Sequence, residues 1–160
     1  MKENTGREGW DPVLAQLIDE SQDLPSVRLE ELQADQMLTI RTQGNMTIYL
    51  TMVDPQNLRV VLGVTGDVQL EPTEALFYGS SWGSPMVKLG LLVIGMRPVF
   101  TIRGRQFMTP EVISVQIKNS PRIVADLVGV AQWREQQQMR TIAQIAKALW
   151  AWTKRFWRGQ

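Results

Sequence analysis

The sequence predicts an α+β chain: a small antiparallel β-barrel or sandwich flanked by a short N-terminal helix and a long C-terminal helix. Short runs in residues 36–118 are rich in β-branched and aromatic residues and repeat with a period of two. Turn residues separate those runs. After Ser120-Pro121 the period changes to that of a helix, and no proline interrupts it up to Trp157. These observations divide the chain into an acidic helical segment (1–35), a β-domain (36–118) and an amphipathic C-terminal helix (119–160).

Asp11-Pro12 opens the first helix. Aspartate at the cap accepts backbone N–H groups, and proline at the first helical position gives up no donor that the helix needs. Val13, Leu14, Leu17 and Ile18 then recur at helical spacing, and the element fades by Gln22, before Leu24-Pro25. A second short helical turn is expected over Val27–Leu32, with Ser26 as its cap.

From Met37 the runs MLTIRT, TIYLTMV and LRVVLGV read as strands. Gln43-Gly44-Asn45 supplies one tight turn, because Gly and Asn tolerate positive φ. Asp54-Pro55-Gln56-Asn57 supplies the next, with proline presetting φ and aspartate bonding the local backbone. Further strands are expected at Glu74–Tyr78, Leu91–Ile94, Val99–Ile102 and Val112–Ile117, and Gly104 turns the chain into Gln106-Phe107-Met108.

In the C-terminal helix the first part places Ile123, Leu127 and Val130 on one face, with Val124 and Val128 beside it. Arg134–Gln138 is polar all round, and the helix is expected to run through it. Beyond it, Ile142, Ile145, Leu149, Trp152 and Phe156 are spaced 3, 4, 3 and 4 and fall on one arc. Met139, Ala146, Trp150 and Trp157 widen that arc. Arg140, Lys147, Lys154 and Arg158 lie opposite, with Arg155 somewhat aside. The apolar face either packs on the β-domain or on a sister helix, or it binds a partner through Ile142, Ile145, Leu149, Trp150, Trp152, Phe156 and Trp157. Lys147, Lys154, Arg155 and Arg158 would meet lipid or another anion.

Composition narrows the chemistry. The 160 residues hold no cysteine and no histidine. A disulfide framework, thiolate metal sites and the usual nucleophile–histidine dyads are therefore unavailable. Any catalysis would rest on carboxylates, serine, lysine or tyrosine, and the expectation is a non-enzymatic protein with no cofactor and no metal. The N-terminus lacks the apolar core of a signal peptide, and no stretch has the length of a membrane span, so a cytoplasmic location is expected. Formal charge changes along the chain. Residues 1–35 carry three Lys/Arg and nine Asp/Glu; residues 119–160 carry seven and two. Opposite ends of opposite sign point to self-neutralising contact or to separate partners.

Three further groups hold residue types that can carry chemistry. Gly79–Gly90, GSSWGSPMVKLG, has the Gly and Ser content of an anion nest but matches neither phosphate-binding glycine motif. Its Ser84 and Lys88 are spaced S-x-x-x-K, one residue longer than the S-x-x-K of penicillin-recognising enzymes. A barrel-rim loop capped by Trp82 is the plainer reading. Asp54, Asp67, Glu71 and Glu74 lie near turns, without metal-loop spacing. Arg97, Arg103 and Arg105, with Phe100 and Phe107 nearby, form the pattern by which strands hold single-stranded nucleic acid, although the acidic N-terminal segment opposes that role.

The runs LQADQMLTIRTQGNMTIYLTMVDPQNLRVVLG and EPTEALFYGSSWGSPMVKLGLLVIGM together resemble a pattern in small bacterial proteins of no assigned function. In that pattern a GD-x-L-x-I-R-T strand leads to a DP turn and a G-S-x-x-G-G-S segment. The likeness covers about residues 32–117. Ala34-Asp35-Gln36 stands in place of the Gly-Asp turn, and Pro85 follows Gly83-Ser84 where small residues are expected. The resemblance implies a small β-domain and brings no chemistry with it.

The expected function is a non-enzymatic binding or assembly module that docks on a protein partner, or self-associates, through its basic amphipathic C-terminal helix. The alternative is a peripheral membrane protein whose final helix binds anionic lipid. A nucleic-acid-binding barrel ranks third.

Overall fold

The computed structural model describes residue 16, residues 24–83 and residues 86–158, with side chains through residue 150. The strands are β1 (Ser26–Arg28), β2 (Gln36–Thr42), β3 (Met46–Asp54), β4 (Arg59–Gly66), β5 (Leu70–Ser81), β6 (Val87–Leu89), β7 (Leu91–Val93), β8 (Arg97–Ile102), β9 (Arg105–Met108) and β10 (Val112–Asn119). A 3₁₀ turn, Leu29–Glu31, follows β1, and one long helix, α1 (Pro121–Arg158), follows β10.

Alternation along the strands builds the core. Leu38 and Ile40 of β2, Ile48 and Leu50 of β3, and Leu62 and Val64 of β4 point to one face and are almost wholly buried. Register places them side by side, Leu38 opposite Leu50 and Leu50 opposite Leu62. Phe77 of β5 and Phe100 of β8 are paired in register with ring centroids 5.3 Å apart and planes tilted by 52°. Such a tilted contact adds ~0.5–1.5 kcal/mol to what burial of the rings contributes. The intervening residues Met37, Thr51 and Val61 point to the opposite face, and they too are buried. They form one cross-strand row, Met37–Thr51–Val61.

The large sheet is antiparallel in the order β10-β2-β3-β4-β5-β8-β9, with β6 also paired to β5. The expectation of a closed barrel is not met: β9 and β10, the two ends of this order, do not pair with each other. The β8–β9 ladder ends at Thr109-Pro110. Thr109 N–H bonds Pro98 O at 3.0 Å, and proline then has no N–H to continue the ladder. The chain returns at Val112, whose N–H bonds Met96 O at 2.9 Å and whose carbonyl accepts from Gly95 N–H at 2.8 Å. A separate two-stranded ribbon of β1 and β7 lies over the core instead.

Several local expectations change. The helical turn predicted over Val27–Leu32 is a three-residue strand followed by the 3₁₀ turn. Pairing with β7 and burial of Leu29 and Leu32 in the core outweigh the local helical pattern. These two leucines belong to the β-body's core although they precede residue 36. The predicted N-terminal helix lies outside the described residues apart from Gln16, which is helical and exposed. Gly79–Gly90 is no rim loop. Gly79–Ser81 and Val87–Leu89 pair as a hairpin, while its Ser84 and Pro85 lie outside the described residues. Gly79 is required there: at φ +149° a Cβ would fall 1.9 Å from Lys88 O.

Candidate functional site

Helix α1 leaves the end of β10 and crosses the outer face of the sheet, packing on β2, β4 and β5. Its start is anchored by Ser120 N–H, which bonds Asp35 O at 3.0 Å. Val124 and Ala131 are buried at 7% and 3% exposure, and Leu127 and Val128 are half-buried. The face that docks is therefore centred on Val124 and Ala131. Ile123 and Val130, placed with Leu127 on one face by their spacing, are exposed.

The last anchor is Arg134. Its Nη1 lies 2.6 Å from Glu71 Oε2 on β5, although that nitrogen is buried and its N–H is not aligned into a hydrogen bond. Beside it a groove of about 130 Å³ lies between helix and sheet, lined in part by Glu74, Arg103, Glu135 and Ile142. From Glu135 to Trp150 every residue is exposed. The helix nonetheless continues to Arg158 as one element. Residues 143–158 thus run past the last position that lines this groove, about 24 Å of helix at 1.5 Å per residue.

The apolar stripe does not end where the body does. Ile142, Ile145 and Leu149 stand eighteen positions beyond Val124, Leu127 and Ala131. Eighteen residues make about five turns at 3.6 residues each, so the exposed stripe continues the buried one along the same azimuth. Met139, Ile142, Ile145, Leu149 and Trp150 are 64, 61, 54, 59 and 67% exposed. Lys147 is also exposed. The side chains of Trp152, Lys154, Arg155, Phe156, Trp157 and Arg158 lie outside the described residues. Val124 and Ala131 are not among the expected partner-binding residues, and Glu71 is expected only as a carboxylate near a turn. The repeat at eighteen positions was the signal that could have found the first two.

The structure does not bring the three arginines together. Arg97 opens β8, 3.9 Å from Glu111, and Arg103 lies past the other end of that strand, in the groove beside the helix. Arg105 is paired with Ile102 across the β8–β9 turn, and Arg103 itself takes φ +51° to make that turn. No continuous basic track follows from this arrangement.

The carboxylates are also dispersed. Asp54 accepts from Asn57 Nδ2 at 2.7 Å and from the Gln56 and Asn57 N–H groups. These bonds, the Asn57 amide first, hold its carboxyl below the usual range. Glu74 bonds Arg59 at 2.7 Å, which pushes the Arg59 guanidinium up. Among the described residues no group of three acids is placed to hold a metal ion. Ser80 sits opposite Lys88 across the hairpin, but the Ser80 hydroxyl is buried and accepts from Val93 N–H at 3.0 Å. Among the described residues no helix is long and apolar enough to cross a membrane.

No protein-family model matches this chain, and neither a curated protein nor a solved structure is significantly similar to it.

Proposed function

We propose that the protein is a non-enzymatic assembly module: a rigid β-body that presents the overhanging half of its C-terminal helix for docking on protein, by self-association or on a partner. The observation that carries this reading is the continuity of the stripe. The body covers the stripe through Ala131 and leaves its repeat at Ile142, Ile145 and Leu149 exposed. A contiguous exposed apolar face of this kind is a feature of interaction sites rather than of ordinary surface.

Light scattering on the full chain and on a chain truncated after Gln138 tests it. The expected result is a mass above the 18.2 kDa of one chain that falls to a single chain on truncation. Equal, monomeric masses would overturn self-association.

A specific observation also favours a second reading, attachment to an anionic membrane surface. Residues 139–160 hold five basic residues, four aromatic residues and no acid. Such a helix lies in the headgroup region with its aromatics inward. Flotation with phosphatidylserine vesicles separates the two: lipid binding carries the full chain upward and leaves the truncated chain behind.

A further inference from the structure

The geometry points to one arrangement: the overhang pairs antiparallel with the same segment of a second copy, about a twofold axis near Leu149. This rests on the reading of the overhang as an assembly helix and goes further, because it fixes the partner and its direction.

Direction follows from the shared azimuth. Over the docked half, the stripe side of the helix is filled by the chain's own β2, β4 and β5. Paired helices run about 8–10 Å apart. In a parallel pair, each docked half would have to enter the volume that its mate's sheet already fills. In an antiparallel pair only the overhangs overlap, and the two β-bodies sit at opposite ends and on opposite sides.

Spacing and charge suit a second copy. Ile142, Ile145, Leu149, Trp152 and Phe156 give the alternating 3 and 4 spacing of a two-helix seam. Arg140, Lys147 and Lys154 recur every seven residues on the far side, where two like-charged helices keep their charges apart. Ala146 and Ala148 flank the seam and leave room for large aromatics. The exposed apolar side chains available to it are those of Ile142, Ile145 and Leu149, with Met139 and Trp150 beside them, and a stable interface takes ~800 Å² from each partner.

The chain has no cysteine, so single thiols report the direction cleanly. The experiment uses full-length Ile142→Cys and Phe156→Cys, each alone and mixed, with a short bis-maleimide, alongside light scattering of each. In the proposed pair, two copies of position 142 lie about 20 Å apart, at 1.5 Å per residue. Position 142 of one copy is then level with position 156 of the other. The expected result is a mass of two chains, little cross-linking in either variant alone, and a cross-linked dimer on mixing. A dimer that cross-links efficiently in each variant alone is parallel; it overturns this arrangement and leaves the assembly reading standing. A mass other than two chains, with association lost on truncation after Gln138, also overturns it alone. A monomer at every concentration removes both, and a monomer that floats with phosphatidylserine vesicles assigns the overhang to lipid.

Discussion

The two halves of helix α1 carry the same apolar stripe and meet different surroundings. In the docked half Val124 and Ala131 are 7% and 3% exposed; eighteen residues on, Ile142 and Leu149 are 61% and 59% exposed. Periodicity therefore specifies which side of a helix is apolar but not whether the same chain covers it. Coverage is decided by the extent of the sheet. The helix outruns the strands it crosses, and the ion pair between Arg134 and Glu71 marks the last hold.

A charge placed on the stripe separates the two halves of the helix most strongly. Ala131→Glu puts a carboxylate at a position 3% exposed, with the sheet beneath it. Such a burial destabilises folding by at least ~2 kcal/mol, read as a lowered urea midpoint. Leu149→Glu, at the matching azimuth in the overhang, is expected to leave the midpoint of dilute chain within about 0.5 kcal/mol. Its effect should appear instead as loss of association in light scattering. Equal destabilisation by both would mean that the overhang packs on its own body.

Much of this architecture was legible in the residues. The turns at Gly44-Asn45 and Gly104 were readable because positive φ selects those residues: Gly44, Asn45 and Gly104 take φ +73°, +58° and +75°. Strands β2, β3 and β4 were readable from their alternation. What stayed hidden depends on contacts distant in sequence. The β1 ribbon has three residues, too few for a periodic signal, and exists through its pairing with β7. The failure to close into a barrel is set by where Thr109 and Val112 find their backbone partners. Arg97, Arg103 and Arg105 looked like one patch because a hairpin brings residues near in sequence. Arg97 and Arg103 nevertheless lie at opposite ends of a six-residue strand, Arg97 as its first residue and Arg103 just past its last.

Gly129 lies in the docked half, yet a Cβ there would meet nothing within 4 Å, and the residue is exposed. Gly129→Ala is expected to stabilise the chain by about 0.5–1 kcal/mol through helix propensity and loss of freedom in the unfolded chain. The gain should appear equally in the chain truncated after Gln138, since it belongs to the half that the body holds. A gain seen only in the full chain would mean that the two halves fold as one unit with whatever covers the overhang.

The smallest effect concerns the boundary itself. Glu71 is 74% exposed at its side chain and Arg134 32%, so solvent screens most of their attraction. Pairs of this kind contribute ~0–1 kcal/mol, and Glu71→Gln should lower stability by a few tenths of a kcal/mol. That loss should vanish in high salt, because screening removes from the parent what the variant already lacks. Backbone hydrogen exchange gives the sharper reading. If the ion pair holds the exit point of the helix, protection in Glu71→Gln falls around residues 131–138 and not around Val124. A uniform fall along residues 121–138 would instead place the boundary in the apolar packing of Val124 and Ala131, with the ion pair an accessory to it.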